Sequence, residues 1–325
     1  MTPQASDGLS RVKDGRRAMP GNVAFVALVI AVIAAPFFLY PVFLMKVLCF
    51  GLFACAFNLL FGYGGLLSFG QAAFFGMASY VCAYVSKSWG VTPEIAILLG
   101  ALSAALLGVV IGALAIRRQG IYFAMITLAL AQMVYFFSLR ASFTGGEDGI
   151  QAVPRGHLFG VIDLSNDLAL YTLVAVIVLA SLLIINRIIH SPFGQVMKAI
   201  RDNEPRAISL GYKVERFKLL MFVLAATLAG IAGATKALVF QLASLTDIHW
   251  MMSGEVVLMA LVGGVGTVYG PMFGALVIVA METYLASLGS WVTVVQGAVF
   301  VVCVLAFRQG IAGMAVQLWN RAGRS

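Results

Sequence analysis

The chain is 325 residues long, 62% hydrophobic and only 10% charged, whereas soluble domains run at roughly 45–50% apolar and about 25% charged. That balance excludes a soluble globular protein and a disordered one, and makes a single polytopic membrane domain the simplest organisation. The net charge of +8 is no sign of nucleic-acid binding, because basic loops on the cytoplasmic side of a multispan protein account for it.

Residues 1–21 are polar and carry Arg11, Lys13, Arg16 and Arg17. The apolar run Val23 to Tyr40 is too long for a signal peptide and lacks a small-residue cleavage site, so it is expected to be the first membrane helix. Further apolar runs predict spans at 42–61, 66–86, 94–116, 120–139, 168–187, 217–239, 255–269, 271–288 and 291–307. The expected fold class is an all-α polytopic membrane protein with about ten transmembrane helices (8–10), each needing roughly 20 apolar residues to cross a bilayer. The 255–269 run is short and is open to a second reading, as a half-helix or re-entrant segment.

Lysine and arginine set the orientation. With the N-terminus in the cytoplasm, Arg117, Arg118, Arg187, Lys198, Arg201, Arg206, Lys213, Arg216, Lys218, Arg308, Arg321 and Arg324 all fall on that side. Only Lys87, Arg140 and Arg155 fall outside, and Lys46 and Lys236 lie within spans. Both termini are therefore expected in the cytoplasm. The chain divides into a basic tail (1–21), one transmembrane domain (22–307) with a cytoplasmic loop at 188–216 and an outer loop at 140–167, and a cytoplasmic C-terminal tail (308–325).

Cys49, Cys55, Cys82 and Cys303 sit inside apolar runs with no C-x-x-C spacing, which reads as small core hydrophobes and neither a disulfide framework nor a metal site. No polar stretch is long enough for a soluble catalytic domain. The P-loop, H-E-x-x-H and G-x-S-x-G patterns are all missing from the sequence, so no enzyme chemistry and no cofactor of its own is expected.

Four segments stand out. In Asn58–Gly76, glycines at 62, 64, 65 and 70 separate two apolar spans. Non-helical backbone at membrane depth is tolerated only where protein or water covers it. Asn58, Gly64, Gly65, Ser68 and Gln71 then line an interior path; a plain turn followed by small-residue helix packing is the other reading. Thr144–Gly149 is a glycine-rich acidic outer turn, open either to solvent or to a docking partner. Ser191–Lys218 is the one long cytoplasmic loop. Gly194–Asn203 reads as an amphipathic helix, with Val196, Met197, Ala199 and Ile200 against Gln195, Lys198, Arg201 and Asp202. Pro205 opens a second short helix whose apolar face is Ala207, Ile208 and Leu210, and Gly211 suits the turn after it. Such a pair either docks on a partner or lies on lipid headgroups. In Gly263–Gly274, Gly266, Gly270 and Gly274 recur every four residues, as in close helix packing; a broken helix or gate is the functional reading.

Lys46, Lys236, Glu255 and Glu282 lie near span ends and are expected to snorkel or to serve a helix-end role, although charges within a span are otherwise functional candidates. His157, His190 and His249 lie in loops or at edges, which argues against a proton-coupled carrier.

Together the four segments, running into Ala225–Ala234, resemble the membrane-spanning permease subunits of ABC importers for branched-chain amino acids, the LivM-type half. The match covers roughly residues 45–307 in order and spacing. The resemblance implies a periplasmic binding protein delivering ligand, a sister permease completing the pathway, and two ATP-binding cassette subunits that use ATP and magnesium. It implies residence in a bacterial inner membrane. It makes Gly194, Lys198, Arg201, Glu204, Ala207, Leu210 and Gly211 the ATPase coupling region, with Glu204-Pro205-Arg206-Ala207 in place of a plain Glu-Ala-Ala. It makes Gly145, Gly146 and Asp148 the docking point for the binding protein, and Gly263, Gly264, Gly266 and Gly270 a gate or packing element. Urea and short amides are alternative cargoes within the same family; an ATP-independent carrier or channel is the alternative class.

Overall fold

A computed structural model describes residues 21–158, 160, 162–286, 289 and 291–306. The two expected tails lie outside the described residues, apart from Gly21. A helix stands at each expected span: α1 (Gly21–Ala34), α2 (Pro41–Asn58), α3 (Gln71–Ser88), α4 (Pro93–Ala115), α5 (Ile121–Arg140), α6 (Asp167–His190), α9 (Val214–Phe240), α10 (Trp250–Gly263), α11 (Gly270–Tyr284) and α12 (Trp291–Ala306). Two shorter helices, α7 (Pro192–Asp202) and α8 (Glu204–Ser209), join α6 to α9. Among the described residues, five helices are long and apolar enough to cross a membrane: α2 with its continuation to Tyr63, α4, α5, α6 and α9.

Local chemistry starts and stops these helices. Pro41 and Pro93 open α2 and α4 after residues in extended backbone, as a fixed proline φ favours at a first turn. Ser191 caps α7 by accepting from the Gly194 N–H at 3.2 Å, and Asn203 caps α8 by accepting from the Arg206 N–H at 3.0 Å, each satisfying an otherwise orphaned donor.

The core is built on α2, α3, α4 and α9. For α2, 83% of the apolar window is buried, against 28% for α5, so α2 is central and α5 peripheral. α3, α4 and α9 pack on one another through small residues: a side chain at Gly230 would strike Ala104, and one at Gly233 would strike the backbone of Phe75. Without side chains between them the helices approach to backbone contact.

The two ends differ. At one end, which carries Arg117, Arg118, Arg187, Lys198, Arg201 and Arg216, sit α7, α8 and the 116–120 turn. At the other, β1 (Ile150–Gln151) pairs antiparallel with β4 (Leu242–Ala243), Ile150 opposite Ala243. A hairpin beside it pairs β2 (His157–Leu158) with β3 (Ile162–Asp163).

Two boundaries differ from the sequence expectation. The third span begins at Gln71 and not at 66, because the chain runs non-helically through 64–70. The expected 255–269 run is helical from Trp250 to Gly263, and 264–269 is a non-helical link to α11. Gly266 is therefore not on a helix and takes no part in a four-residue packing repeat; its φ is +80°, outside helical space. Gly263, Gly270 and Gly274 do pack α10 on α11, since a β-carbon at each would strike the other helix's backbone.

Candidate functional site

The site begins where α2 loses its regular hydrogen bonding. Leu59–Tyr63 continues α2 as a π-helical turn. Gly65 N–H then donates to Phe61 O at 3.0 Å and Leu66 N–H to Leu60 O at 3.2 Å, with Gly65 at φ +69°. The chain enters the protein interior unwound. Ser68 and Gln71 are completely buried, so their backbone must find partners inside the fold. Phe69 N–H donates to Thr127 Oγ1 (3.3 Å), Gly70 N–H to Ser68 Oγ (3.2 Å) and Ala72 N–H to Ser253 Oγ (3.1 Å). Thr127 and Ser253 were not singled out from the sequence; isolated hydroxyls in apolar runs carry no signal until the unwound strand is placed beside them. Gln71 differs: neither its Oε1 nor its Nε2 has a hydrogen-bond partner.

Asn58 closes onto the α10–α11 link. Its Nδ2 donates to Thr267 O at 2.8 Å, and its Oδ1 accepts from Gly266 N–H at 2.9 Å. Gly62 fits beside this bracket only because it lacks a side chain: a β-carbon would lie 2.8 Å from Gly266 N. The link carries positive φ at Gly264 (+111°) as well as at Gly266. Asn58, Gly62, Gly264 and Gly266 thus form one junction, and the structure separates the interior-path residues into two groups. Gly64 and Gly65 lie toward the α7–α8 end; Ser68 and Gln71 lie deeper.

The α7–α8 unit sits against that first group. Gly194, Met197 and Ile200 are buried and Ala199 is exposed, so Ala199 is not on the packed face as the periodicity had suggested. Arg201 Nη1 donates to Gly62 O at 2.6 Å, while its Nη2 holds Asp202 at 3.0 Å. Lys198 Nζ lies 5.5 Å from the centre of the Tyr63 ring. Lys218 Nζ reaches both Glu204 oxygens at 2.7 Å, and Gln119 Nε2 donates to Glu204 Oε1 at 3.0 Å. Gly64, Gly65, Gln119, Arg201, Glu204 and Lys218 surround a cavity of about 190 Å³. Glu204 thus ties α8 to α9 and to the α4–α5 turn.

Ala207 is buried beneath α8, but Ile208 and Leu210 are 57% and 70% exposed. Gly211 has φ +86°, and Tyr212 N–H returns to Ala207 O at 3.2 Å. This is the left-handed termination that glycine favours after a last helical residue. Ile208 and Leu210 form an exposed apolar edge, while Tyr212 packs its ring edge-on against Phe217 of α9, the centroids 6.0 Å apart.

At the opposite end, Gly145 and Gly146 both have positive φ, and Gly145 separates two 3-10 turns, Ser142–Thr144 and Gly146–Asp148. Thr144 Oγ1 bonds back to Ser138 O and Ala141 O, and Gly149 lies on the Ala243 carbonyl. Glu147 and Asp148 project outward.

Two of the lysines expected to snorkel or to serve a helix end are held in ion pairs. Lys236 Nζ lies 2.7 and 2.9 Å from the two Asp247 oxygens, with the side chains 9% and 3% exposed. Lys46 Nζ pairs with Glu282 at 3.1 Å. A buried ammonium is retained only with a counter-charge. Asp247 went unnoticed in the sequence, although Ser244-x-x-Asp247 has the spacing of the capping box it forms.

A bundle of apolar helices, with a buried non-helical stretch between α2 and α3 and a glycine link between α10 and α11, defines a multi-pass membrane protein with a built internal seam. Residues 40–304 match the family described as branched-chain amino acid transport system / permease component, and the chain belongs to that family. It is 26% identical over 280 residues to the high-affinity branched-chain amino acid transport permease LivM of Escherichia coli K12, covering 79% of this chain and 66% of that protein. It is 26% identical over 292 residues to LivM of Salmonella typhimurium LT2, covering 82% and 69%. It is 29% identical over 313 residues to the ribose import permease RbsC of Bacillus subtilis 168, covering 88% and 90%. The chain thus spans about two thirds of the length of either LivM protein. No solved structure matches it.

Proposed function

We propose that the chain is the membrane-spanning permease subunit of an ATP-driven ABC importer for branched-chain or other hydrophobic amino acids, resident in a bacterial inner membrane with both termini cytoplasmic. The observation that carries this is the family match over residues 40–304. The capped α7–α8 pair, with its exposed Ile208–Leu210 edge, supports it as the surface that docks on one of two ATP-binding cassette subunits. ATP and magnesium would be used by those subunits. Ligand would arrive from a periplasmic binding protein at the Gly145–Asp148 turn, and a sister permease would complete the pathway.

A zwitterion with an apolar side chain calls for hydrogen-bonding groups and an apolar wall in place of a charged pore. Ser68, Gln71 and the glycine backbone of 64–70 meet that requirement. A docked helix pair can drive the membrane segment only by favouring one of its states over another. The similarity to a ribose import permease favours a second reading of the cargo, a neutral polyhydroxylated one; urea and short amides are further candidates.

The test is ATP-dependent uptake in proteoliposomes holding the chain with the subunits that co-purify with it and a binding protein. Uptake of labelled leucine, isoleucine or valine, competed by the other two and not by ribose or urea, is expected. Uptake of ribose alone would replace the cargo. Uptake by this chain alone, without ATP, would overturn the importer class.

A further inference from the structure

We propose that Arg201 and Asn58 form a transmission path that carries a displacement of α7 and α8 to the α10–α11 link, with the π-helical turn Leu59–Tyr63 as its moving part. This rests on the reading above, that force enters the chain at α7 and α8.

The contacts run in series. On one side of the turn, α7 has three footholds: the Arg201 guanidinium on the Gly62 carbonyl at 2.6 Å, the Lys198 ammonium over Tyr63 at 5.5 Å, and the Arg201 stem against Gly65. A β-carbon at Gly65 would lie 2.7 Å from Arg201 Cγ. On the other side, Asn58 grips the link through Gly266 N–H at 2.9 Å and Thr267 O at 2.8 Å. Gly62 lies between the two, in contact with both the Asn58 side chain and the Gly266 backbone. From guanidinium to link the path is one helical turn, with no flexible side chain interposed except the two that hold it.

Each end of the path is free to respond. A π-helical turn contains one more residue than an α-turn, and such turns are rare and concentrate at functional positions. A change of register there rotates Asn58 against Gly62. The receiving link has left-handed backbone at Gly264 and Gly266, so it takes up a shift in torsion angles where a packed helix would resist. Arg201 thereby acquires a role different from surface docking: the exposed apolar edge lies on α8 and just beyond, at Ile208 and Leu210.

Contiguity alone does not prove coupling; a double-mutant cycle does. The experiment uses the assembled importer in proteoliposomes and reads substrate moved per ATP hydrolysed. Arg201→Met keeps the stem on Gly65 and removes the donors. It is expected to lower that ratio by about tenfold or more, while the ATPase subunits still co-purify and hydrolyse ATP. Arg201→Lys returns a donor and is expected to recover most of the ratio. Asn58→Leu is expected to show the same loss, and the double variant to be no worse than the more damaged single. If Asn58→Leu fails to assemble, Asn58→Asp takes its place, since it keeps the acceptor and loses the donor. An unchanged ratio in Arg201→Met, or additive losses in the double variant, would overturn the path. Loss of the ATPase subunits from Arg201→Met would make Arg201 a docking residue and overturn it too. A wild-type complex that couples no ATP to any uptake would instead remove the importer reading, and this proposal with it.

Discussion

Lys236 and Asp247 form a chelate-like ion pair inside the protein, the ammonium 2.7 and 2.9 Å from the two carboxylate oxygens. Asp247 also accepts from Ser244 N–H at 3.3 Å, so the pair fixes the 241–249 connection to the end of α9. Lys236→Met leaves a buried carboxylate alone and is expected to destabilise by about 3–5 kcal/mol. Lys236→Met with Asp247→Leu removes both charges and is expected to regain most of that. Thermal unfolding of the detergent-solubilised chain measures both; equal losses would mean that the pair is not the source of the stability.

Gln71 offers the opposite test. Its two polar atoms are buried without partners, a penalty of about 1–3 kcal/mol for each such group. Gln71→Leu is expected to leave stability unchanged or raise it, and to abolish uptake while the complex still assembles. A variant that transports normally would take Gln71 off the substrate path.

Gly211→Val places a β-branched residue at φ +86°, a local strain of about 1–2 kcal/mol. That is too little to prevent membrane insertion. It would redirect the chain leaving α8 and shift Leu210 and Tyr212, so uptake should be lost with expression intact. Full uptake would remove the 204–212 turn from the coupling surface.

Ser209 is exposed at the end of α8. In Ser209→Cys, an impermeant thiol reagent is expected to label inside-out vesicles and not right-side-out ones. The assay is run with Cys303→Ser in place; Cys49, Cys55 and Cys82 are buried and should give little background. Labelling from the outer side would invert the proposed topology.

The helical spans were readable because an apolar run long enough to cross a bilayer has few other fates. The amphipathic pair at 192–209 was readable because Pro192, Pro205 and Gly211 punctuate it. The start of α3 was not, since Leu66, Leu67 and Phe69 are as apolar as any helical residue. In that stretch the Phe69 N–H is met by the distant Thr127 hydroxyl and the Gly70 N–H by Ser68, partners that substitute for helical ones, and Ser253 receives the Ala72 N–H where α3 begins. The Lys236–Asp247 pair was hidden for a related reason: hydropathy shows a charge in a span but not the return of the chain that neutralises it. Asn58 drew notice as a polar residue among apolar ones, yet that pattern could not say that its amide is spent on the backbone of residues 266 and 267.

The crossing of α9 over α3 at Gly233 and Phe75 brings backbone against backbone. Such a contact leaves nothing to compress and little room to slide, and Gly230 seats α9 on Ala78 of α3 one turn away. The two helices are therefore locked in register, and any rearrangement of the bundle has to carry them as one body and be taken up elsewhere, in the non-helical stretches at 64–70 and 264–269.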